Sequence, residues 1–317
     1  MKANDTSIAL PARRRFLKAV SVPALLALLP SSALAASDKT LITKPIPSTG
    51  EQLPVIGMGT WITFNVGSNT EARNARTEVL KTFFDLGGSM VDSSPMYGSA
   101  EEVMGYALKR LKSQGVATEK SLFSTTKVWT RADGEAQIAD SYRLWGVDEF
   151  DLYQIHNLLN WQDHLARLQQ LKQAGKIRYI GITTSHGRRH EDLEQIMKTQ
   201  PIDFIQLTYN LRHREVEKRL LPLAQEKGIA VIVNRPLDGG RLFDQFAHKP
   251  LPAWAGEIGC ANWAQFFLKF VVSHPAVTCA IPATSQIAHM KENMGAARGQ
   301  LPDPAVRAKM LKFIQNS

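Results

Sequence analysis

The feature that most constrains this chain is an alternation. From Val55 onward, short apolar runs alternate with longer stretches of helical period, eight times over. The pattern predicts strands at Val55–Gly59, Met90–Asp92, Leu122–Lys127, Phe150–His156, Tyr179–Ile182, Phe204–Thr208, Ile229–Asn234 and Val277–Ile281. It predicts helices at Glu71–Leu86, Ser99–Leu111, Glu135–Trp145, Trp161–Ala174, His190–Thr199, Val216–Lys227, Asn262–Ser273 and Ser285–Met294. Gly87-Gly88, Gly175 and Gly228 stand where three of these helices must stop. Eight strand–helix units within about 250 residues form the pattern of an α/β (β/α)8 TIM barrel. A doubly wound open sheet would alternate in the same way, but eight units without a break favour closure. Asp38 to Gln52, with Pro45, Pro47 and Ser48-Thr49-Gly50 as turn signals, reads as a hairpin ahead of the barrel. Pro304 to Gln315 reads as an extra C-terminal helix. The expectation is one barrel domain over residues 36–317.

Residues 1–35 read differently. Arg13-Arg14-Arg15-Phe16-Leu17-Lys18 precedes an apolar run from Ala19 to Leu29, and Ser31-Ser32-Ala33-Leu34-Ala35-Ala36 follows. A basic region, a short apolar region and small residues in that order describe a signal peptide cleaved after Ala35. The apolar run falls short of the roughly 20 residues that span a bilayer, so no stable membrane anchor is expected. The Arg-Arg-x-Phe-Leu-Lys core resembles a twin-arginine (Tat) signal, with Ala12 where Ser or Thr is usual. That resemblance implies export of a folded protein through the twin-arginine translocase to the periplasm. Losing Lys2, Arg13, Arg14, Arg15, Lys18 and Asp5 takes four charges from the net +9 and leaves +5. Much of the basic excess is therefore a targeting device. With no basic stripe interleaved with aromatics, nucleic acid is not an expected partner. Cys260 and Cys279 are the two cysteines; Cys279 lies in a core-like run, which favours free thiols over a bridge.

In such a barrel, chemistry sits where the strands end. The second strand leads into Asp92-Ser93-Ser94-Pro95-Met96-Tyr97-Gly98, the third ends in Lys127 and the fourth in His156. Adding a proton to a carbonyl oxygen needs a donor beside that oxygen. A tyrosine titrates near 10, and a lysine cation close by is expected to lower that value while an aspartate holds the lysine. A histidine donor would polarise the same oxygen. Asp92, Tyr97, Lys127 and His156 thus read as a general acid with its supporting shell.

The spacing Asp92-x-x-x-x-Tyr97-Gly98, Lys127 after Ser124-Thr125-Thr126, and Tyr153-Gln154-Ile155-His156 together resemble the aldo-keto reductase superfamily, over about Leu53 to Asn293. The resemblance implies that these four residues are the catalytic tetrad, with Tyr97 as general acid/base. It also implies a nicotinamide dinucleotide bound extended and without a Rossmann motif. By position, Gln206, Thr183 and Thr184 would meet the nicotinamide. Asn234, Arg235, Pro236 and Leu237 would follow along the cofactor, with Asn234 replacing a stacking ring. Ile281, Ala283, Thr284, Ser285, His289, Glu292 and Asn293 would take the phosphate and adenine end. Ala283 and His289 stand where relatives preferring the 2′-phosphate often carry Lys and Arg; NADP(H) is still favoured over NAD(H). Asp238-Gly239-Gly240-Arg241 is either a clamp over the pyrophosphate or a surface turn. Trp61, Met96 and Trp129 are expected around the substrate, in a pocket left open by a short C-terminal segment.

The expected function is therefore an exported oxidoreductase, a monomer that reversibly reduces a small aldehyde or ketone to an alcohol. The alternative is a cofactor-binding or redox-sensing barrel with little turnover. No strand-end cluster of Asp, Glu and His suggests a metal.

Overall fold

In the computed structural model, residues 40–116 and 118–316 are described, and the signal peptide expected over residues 1–35 lies outside them. A hairpin of β1 (Thr43–Pro45) and β2 (Gln52–Pro54) comes first. The barrel strands follow as β3 (Met58–Gly59), β4 (Met90–Asp92), β5 (Phe123–Val128), β6 (Phe150–Ile155), β7 (Ile177–Thr183), β8 (Phe204–Thr208), β9 (Ala230–Asn234) and β10 (Cys279–Ala280). Each is parallel to the next. The helices are α1 (Thr70–Asp85), α2 (Ala100–Ser113), α3 (Thr118–Ser121), α4 (Glu135–Trp145), α5 (Trp161–Gln173), α6 (His190–Thr199), α7 (Leu220–Lys227), α8 (Arg241–Phe246), α9 (Trp263–Val272), α10 (Ile287–Gly295) and α11 (Pro304–Gln315). The hairpin, the eight-strand order and the extra C-terminal helix agree with the alternation in the sequence.

Several boundaries differ. The first and last barrel strands shrink to two residues each, because their remaining pairing consists of the single bridges Ile56–Ala280 and Gly59–Ala283. The expected helix at Val216 divides into a 3-10 turn, Glu215–Lys218, and α7. The last barrel helix begins at Ile287 rather than Ser285, because Thr284 Oγ1 accepts the Gln286 N–H at 3.1 Å and holds a turn there.

The bridges between first and last strand close the barrel, and glycine makes them possible. A Cβ on Gly57 would lie 2.9 Å from the Met90 carbonyl oxygen, and one on Gly59 would lie 2.9 Å from that of Ile281. Either is closer than a methyl group tolerates. With hydrogen there instead, the Gly57 N–H reaches Ala280 O at 2.8 Å.

Inside the barrel the side chains form layers, because successive residues of a strand face opposite ways. Met90, Phe123, Leu152, Tyr179, Phe204, Ile232 and Cys279 form a buried apolar floor. Ile46 and Leu53 of the hairpin join it and plug the barrel from below. One step of two residues up each strand stand Asp92, Thr125, Gln154, Gly181 and Gln206, and one step further Lys127, His156, Thr183 and Thr208. The change from apolar to polar inward positions marks where packing ends and the site begins. Cys260 and Cys279 are buried free thiols.

Replacing Gly57 by Ala should lower unfolding free energy by ~1–3 kcal/mol in a denaturant titration, as overpacking does elsewhere. An unchanged midpoint would show that closure does not depend on this close approach.

Candidate active site

Lys127 is a lysine buried at the strand ends, and its charge has to be compensated there. Its side chain is wholly buried, and its Nζ donates to Asp92 Oδ2 at 2.6 Å and to the Ser93 carbonyl at 2.7 Å. Burial disfavours the ammonium, but the Asp92 charge, joined by Tyr97, outweighs it and holds the Lys127 pKa above its usual value. The other Asp92 oxygen accepts from Gln154 Nε2 at 3.0 Å and Gln206 Nε2 at 3.1 Å. Gln154 Nε2 also donates to Thr125 Oγ1 at 2.7 Å. β4, β5, β6 and β8 are thereby tied together by one carboxylate and its partners.

Tyr97 stands over this pair. Extended backbone at Ser94 and a 3-10 turn, Pro95–Tyr97, bring it back over the strand end. Lys127 Nζ lies 5.1 Å from the centre of its ring. The His156 ring meets the Tyr97 ring edge-on, 5.6 Å away at 88°. From the sequence, Lys127 is expected to bring the Tyr97 pKa down. Lys127 does pull downward, yet close packing of the phenol and the Asp92 charge push harder, and the net shift is upward. Tyr97 is accordingly a firmly protonated phenol at neutral pH. His156 is held neutral, its pKa lowered to about 2 by burial and then by the Lys127 charge.

Above these residues opens a cavity of about 730 Å3. Asp92, Tyr97 and His156 line it, and so do Thr284, His289, Glu292 and Asn293. Thr183, Thr184, Gln206, Asn234, Arg235, Pro236, Leu237, Ile281 and Ala283 belong to the same lining. Trp61 and Met96 line it and are each 42% exposed.

Three expected residues lie elsewhere. Lys127 is beneath the cavity, screened by its own partners. Trp129 follows β5 but is outside the lining; it is 40% exposed, its backbone paired with the Gln137 side chain. Ser285 is outside as well, because the turn at Thr284 takes it off the wall. Thr183 spends its oxygen as an acceptor for the Asn157 N–H at 2.9 Å. Asn234 is edge-bonded on both sides, donating to Thr184 O at 2.9 Å and accepting from Thr208 Oγ1 at 2.6 Å.

A nicotinamide dinucleotide fits what is present. Thr184 lines the cavity, and its buried Oγ1 has no partner among the described residues, as expected of a hydroxyl that awaits a polar ligand. Gln206 lines the same wall, and the cavity is long enough to reach the start of α10. Asp238 is 2% exposed and holds Arg241 at 2.9 Å, while Gly239 and Gly240 face the cavity with positive φ. The loop is thus more than a surface turn. Among the described residues, no three His, Cys, Asp or Glu are grouped to hold a metal.

The family model described as the aldo/keto reductase family matches residues 55–308. This chain belongs to that family. It is an oxidoreductase that depends on NAD(P)H. Similar proteins include the methylglyoxal reductase YeaE of Escherichia coli (strain K12), 29% identical over 268 residues, 81% of this chain and 90% of that one. The NADH-specific methylglyoxal reductase of the same strain is 27% identical, over 67% of this chain and 72% of that one. Among solved structures, an aldo-keto reductase from Klebsiella pneumoniae in complex with NADPH superposes with a TM-score of 0.71 at 26% identity, covering 86% of this chain and 95% of that one.

Gln154 is a further member of the site, inside the Tyr153-Gln154-Ile155-His156 motif but not among the residues expected from it. Its signal was register: it stands one inward step above Leu152 and one below His156. Ile62, His186, Arg188 and Phe243 also line the cavity from loops or a helix, where no strand period marks them.

Removing one partner of the buried pair should cost more than removing both. Lys127→Met should destabilise the fold by about 3–5 kcal/mol, since Asp92 is left charged and unpaired, and adding Asp92→Asn should recover part of that. Denaturation of the two variants decides it; a double variant weaker than the single one would contradict the pairing.

Proposed function

We propose that this chain reduces an aldehyde or ketone to the alcohol, with Tyr97 as the proton donor and the residues of the cavity wall holding a phosphorylated nicotinamide dinucleotide. The observation that carries the reading is a protonated phenol lining a cofactor-sized cavity, backed by a buried lysine–aspartate pair and faced by a neutral histidine. When bound, the reduced nicotinamide supplies a hydride for the carbonyl carbon. The carbonyl oxygen then gains negative charge between Tyr97 and His156. Tyr97 gives that oxygen its proton, and Lys127, close to the ring, stabilises the phenolate left behind. The Gln154 and Gln206 amides hold Asp92, so the cation stays in place through the step. Alcohol oxidation uses the same groups in reverse.

The phosphorylated cofactor is supported by solved relatives bound to NADP and NADPH, although one similar reductase is NADH-specific. In this chain His289 and Thr284 would meet a 2′-phosphate, supplying less charge than an Arg and a Lys would. Thr184 and Gln206 would orient the carboxamide, and Asn234 would edge the ring without stacking on it. Substrates are small carbonyl compounds, methylglyoxal among them by analogy with the similar reductases. The Arg13-Arg14 segment supports export to the periplasm by the twin-arginine route, with cofactor loaded before transport. No helix among the described residues is long and apolar enough to cross a membrane.

Tyr97→Phe should cut kcat at least ~100-fold, the usual weight of a general acid, while the dissociation constant for NADPH stays the same. Equal loss of binding would make Tyr97 structural, and wild-type protein that binds NADPH yet reduces no aldehyde would favour a binding or sensing role. The pH profile follows from the shifts. Tyr97 titrates above its ordinary value, so its donating form persists as pH rises through neutrality and is lost only on the alkaline side. His156 stays neutral across pH ~5–8, where an ordinary histidine titrates. Reductive kcat/KM should show no histidine-like step in that range; such a step would contradict the assignment.

A further inference from the structure

Ser94 joins the two sides of the site. It is fully buried, and its backbone carbonyl accepts the Tyr97 N–H at 2.9 Å. Its Oγ accepts the Met96 N–H at 3.2 Å. The same Oγ lies 2.8 Å from His156 Nδ1. One hydroxyl therefore braces the turn that carries Tyr97 against the ring that faces it. Across the ring, the next residue, Asn157, is fixed by its N–H to Thr183 Oγ1 at 2.9 Å.

The protons on this brace can be counted. A serine hydroxyl has one proton and two acceptor lone pairs, and a neutral imidazole has one N–H. Met96 occupies one lone pair. Were the ring proton on Nδ1, it would take the second lone pair, and the hydroxyl proton would have no acceptor among the described residues in a position closed to water. With Nδ1 bare, the hydroxyl donates to it, and the Ser94 hydroxyl and Nδ1 are both satisfied. The ring proton then resides on Nε2, the nitrogen left to the cavity that His156 lines. Burial and the Lys127 charge keep the ring neutral, so a second proton does not blur the choice.

We propose that Ser94 is a positioning residue: by donating to His156 Nδ1 it fixes the Nε2–H tautomer and presents that N–H to the carbonyl oxygen that Tyr97 protonates. The inference rests on the carbonyl-reduction reading. It adds that His156 acts as a donor because of a hydroxyl one shell behind it. The residue that selects the donor is also the one that sets the Tyr97 turn, so both contacts to the substrate oxygen share one origin.

The tautomer is readable without substrate or cofactor. Long-range 15N–1H NMR of the full chain labelled at histidine nitrogens, with His156 identified by its loss in His156→Gln, should show a protonated Nε2 and a bare, hydrogen-bonded Nδ1. In Ser94→Ala the His156 signal should move toward the Nδ1–H form or a mixture, and in Ser94→Thr it should stay. Removing an oriented donor to a developing oxyanion outright costs ~100–1,000-fold in kcat; losing only its orientation should cost about 10-fold in Ser94→Ala. KM and NADPH affinity should stay unchanged, and Ser94→Thr should recover most of kcat. A wild-type ring protonated on Nδ1 overturns the proposal, as does a Ser94→Ala variant with unaltered tautomer and kcat. Wild-type protein with the expected tautomer but no carbonyl reduction would instead fail the functional reading, and with it the role of that N–H. The spectrum tells the two failures apart.

Discussion

A lysine cation has been taken wholly out of water, and the rest of the site follows from the way it is compensated. Lys127 is held at 2.6 Å by Asp92, and Asp92 in turn is held by Gln154 and Gln206. A buried charge with a missing partner is far more costly than one fully paired. The pair therefore fixes the top of four strands in one arrangement. It also places a permanent positive charge under the Tyr97 ring, where a phenolate would form. The ground-state phenol remains protonated because close packing disfavours its anion more strongly than Lys127 favours it. On the proposed reading, donation of the proton is coupled to the arrival of negative charge on the substrate oxygen rather than happening beforehand.

The barrel supplies this arrangement through register. Below, inward positions are apolar and close-packed, down to the hairpin residues Ile46 and Leu53. Two residues further along the same strands, the inward positions become Asp92, Thr125, Gln154 and Gln206. A slip of one residue in any of these strands would turn its polar group outward into the helical layer. The floor and the site are in this sense one construction, and closure at Gly57 and Gly59 holds its two ends together.

Much of this was legible in the sequence. The eightfold alternation carried the barrel, because parallel strands buried on both faces leave apolar runs that are hard to mistake. Asp92, Tyr97, Lys127 and His156 were legible because they end consecutive strands. Less legible was whatever depends on side-chain partners. Ser285 and Trp129 sit near strand ends yet turn away from the cavity, Ser285 because of the turn that Thr284 makes and Trp129 with its backbone held by Gln137. The net direction of the Tyr97 shift needed the balance of packing against charge, which no spacing encodes. Loop residues such as Arg188 and His186 have no period to betray them.

The central claim is that this cavity joins a hydride donor to a carbonyl whose oxygen Tyr97 protonates. The most direct measurement is a single-turnover reaction with NADPH deuterated at both C4 positions and a simple aldehyde, followed by mass spectrometry of the alcohol. The account requires one deuterium on the carbinol carbon with wild-type protein, and none within the same time with Tyr97→Phe. Alcohol formed without deuterium, or formed equally fast without the Tyr97 hydroxyl, would contradict it.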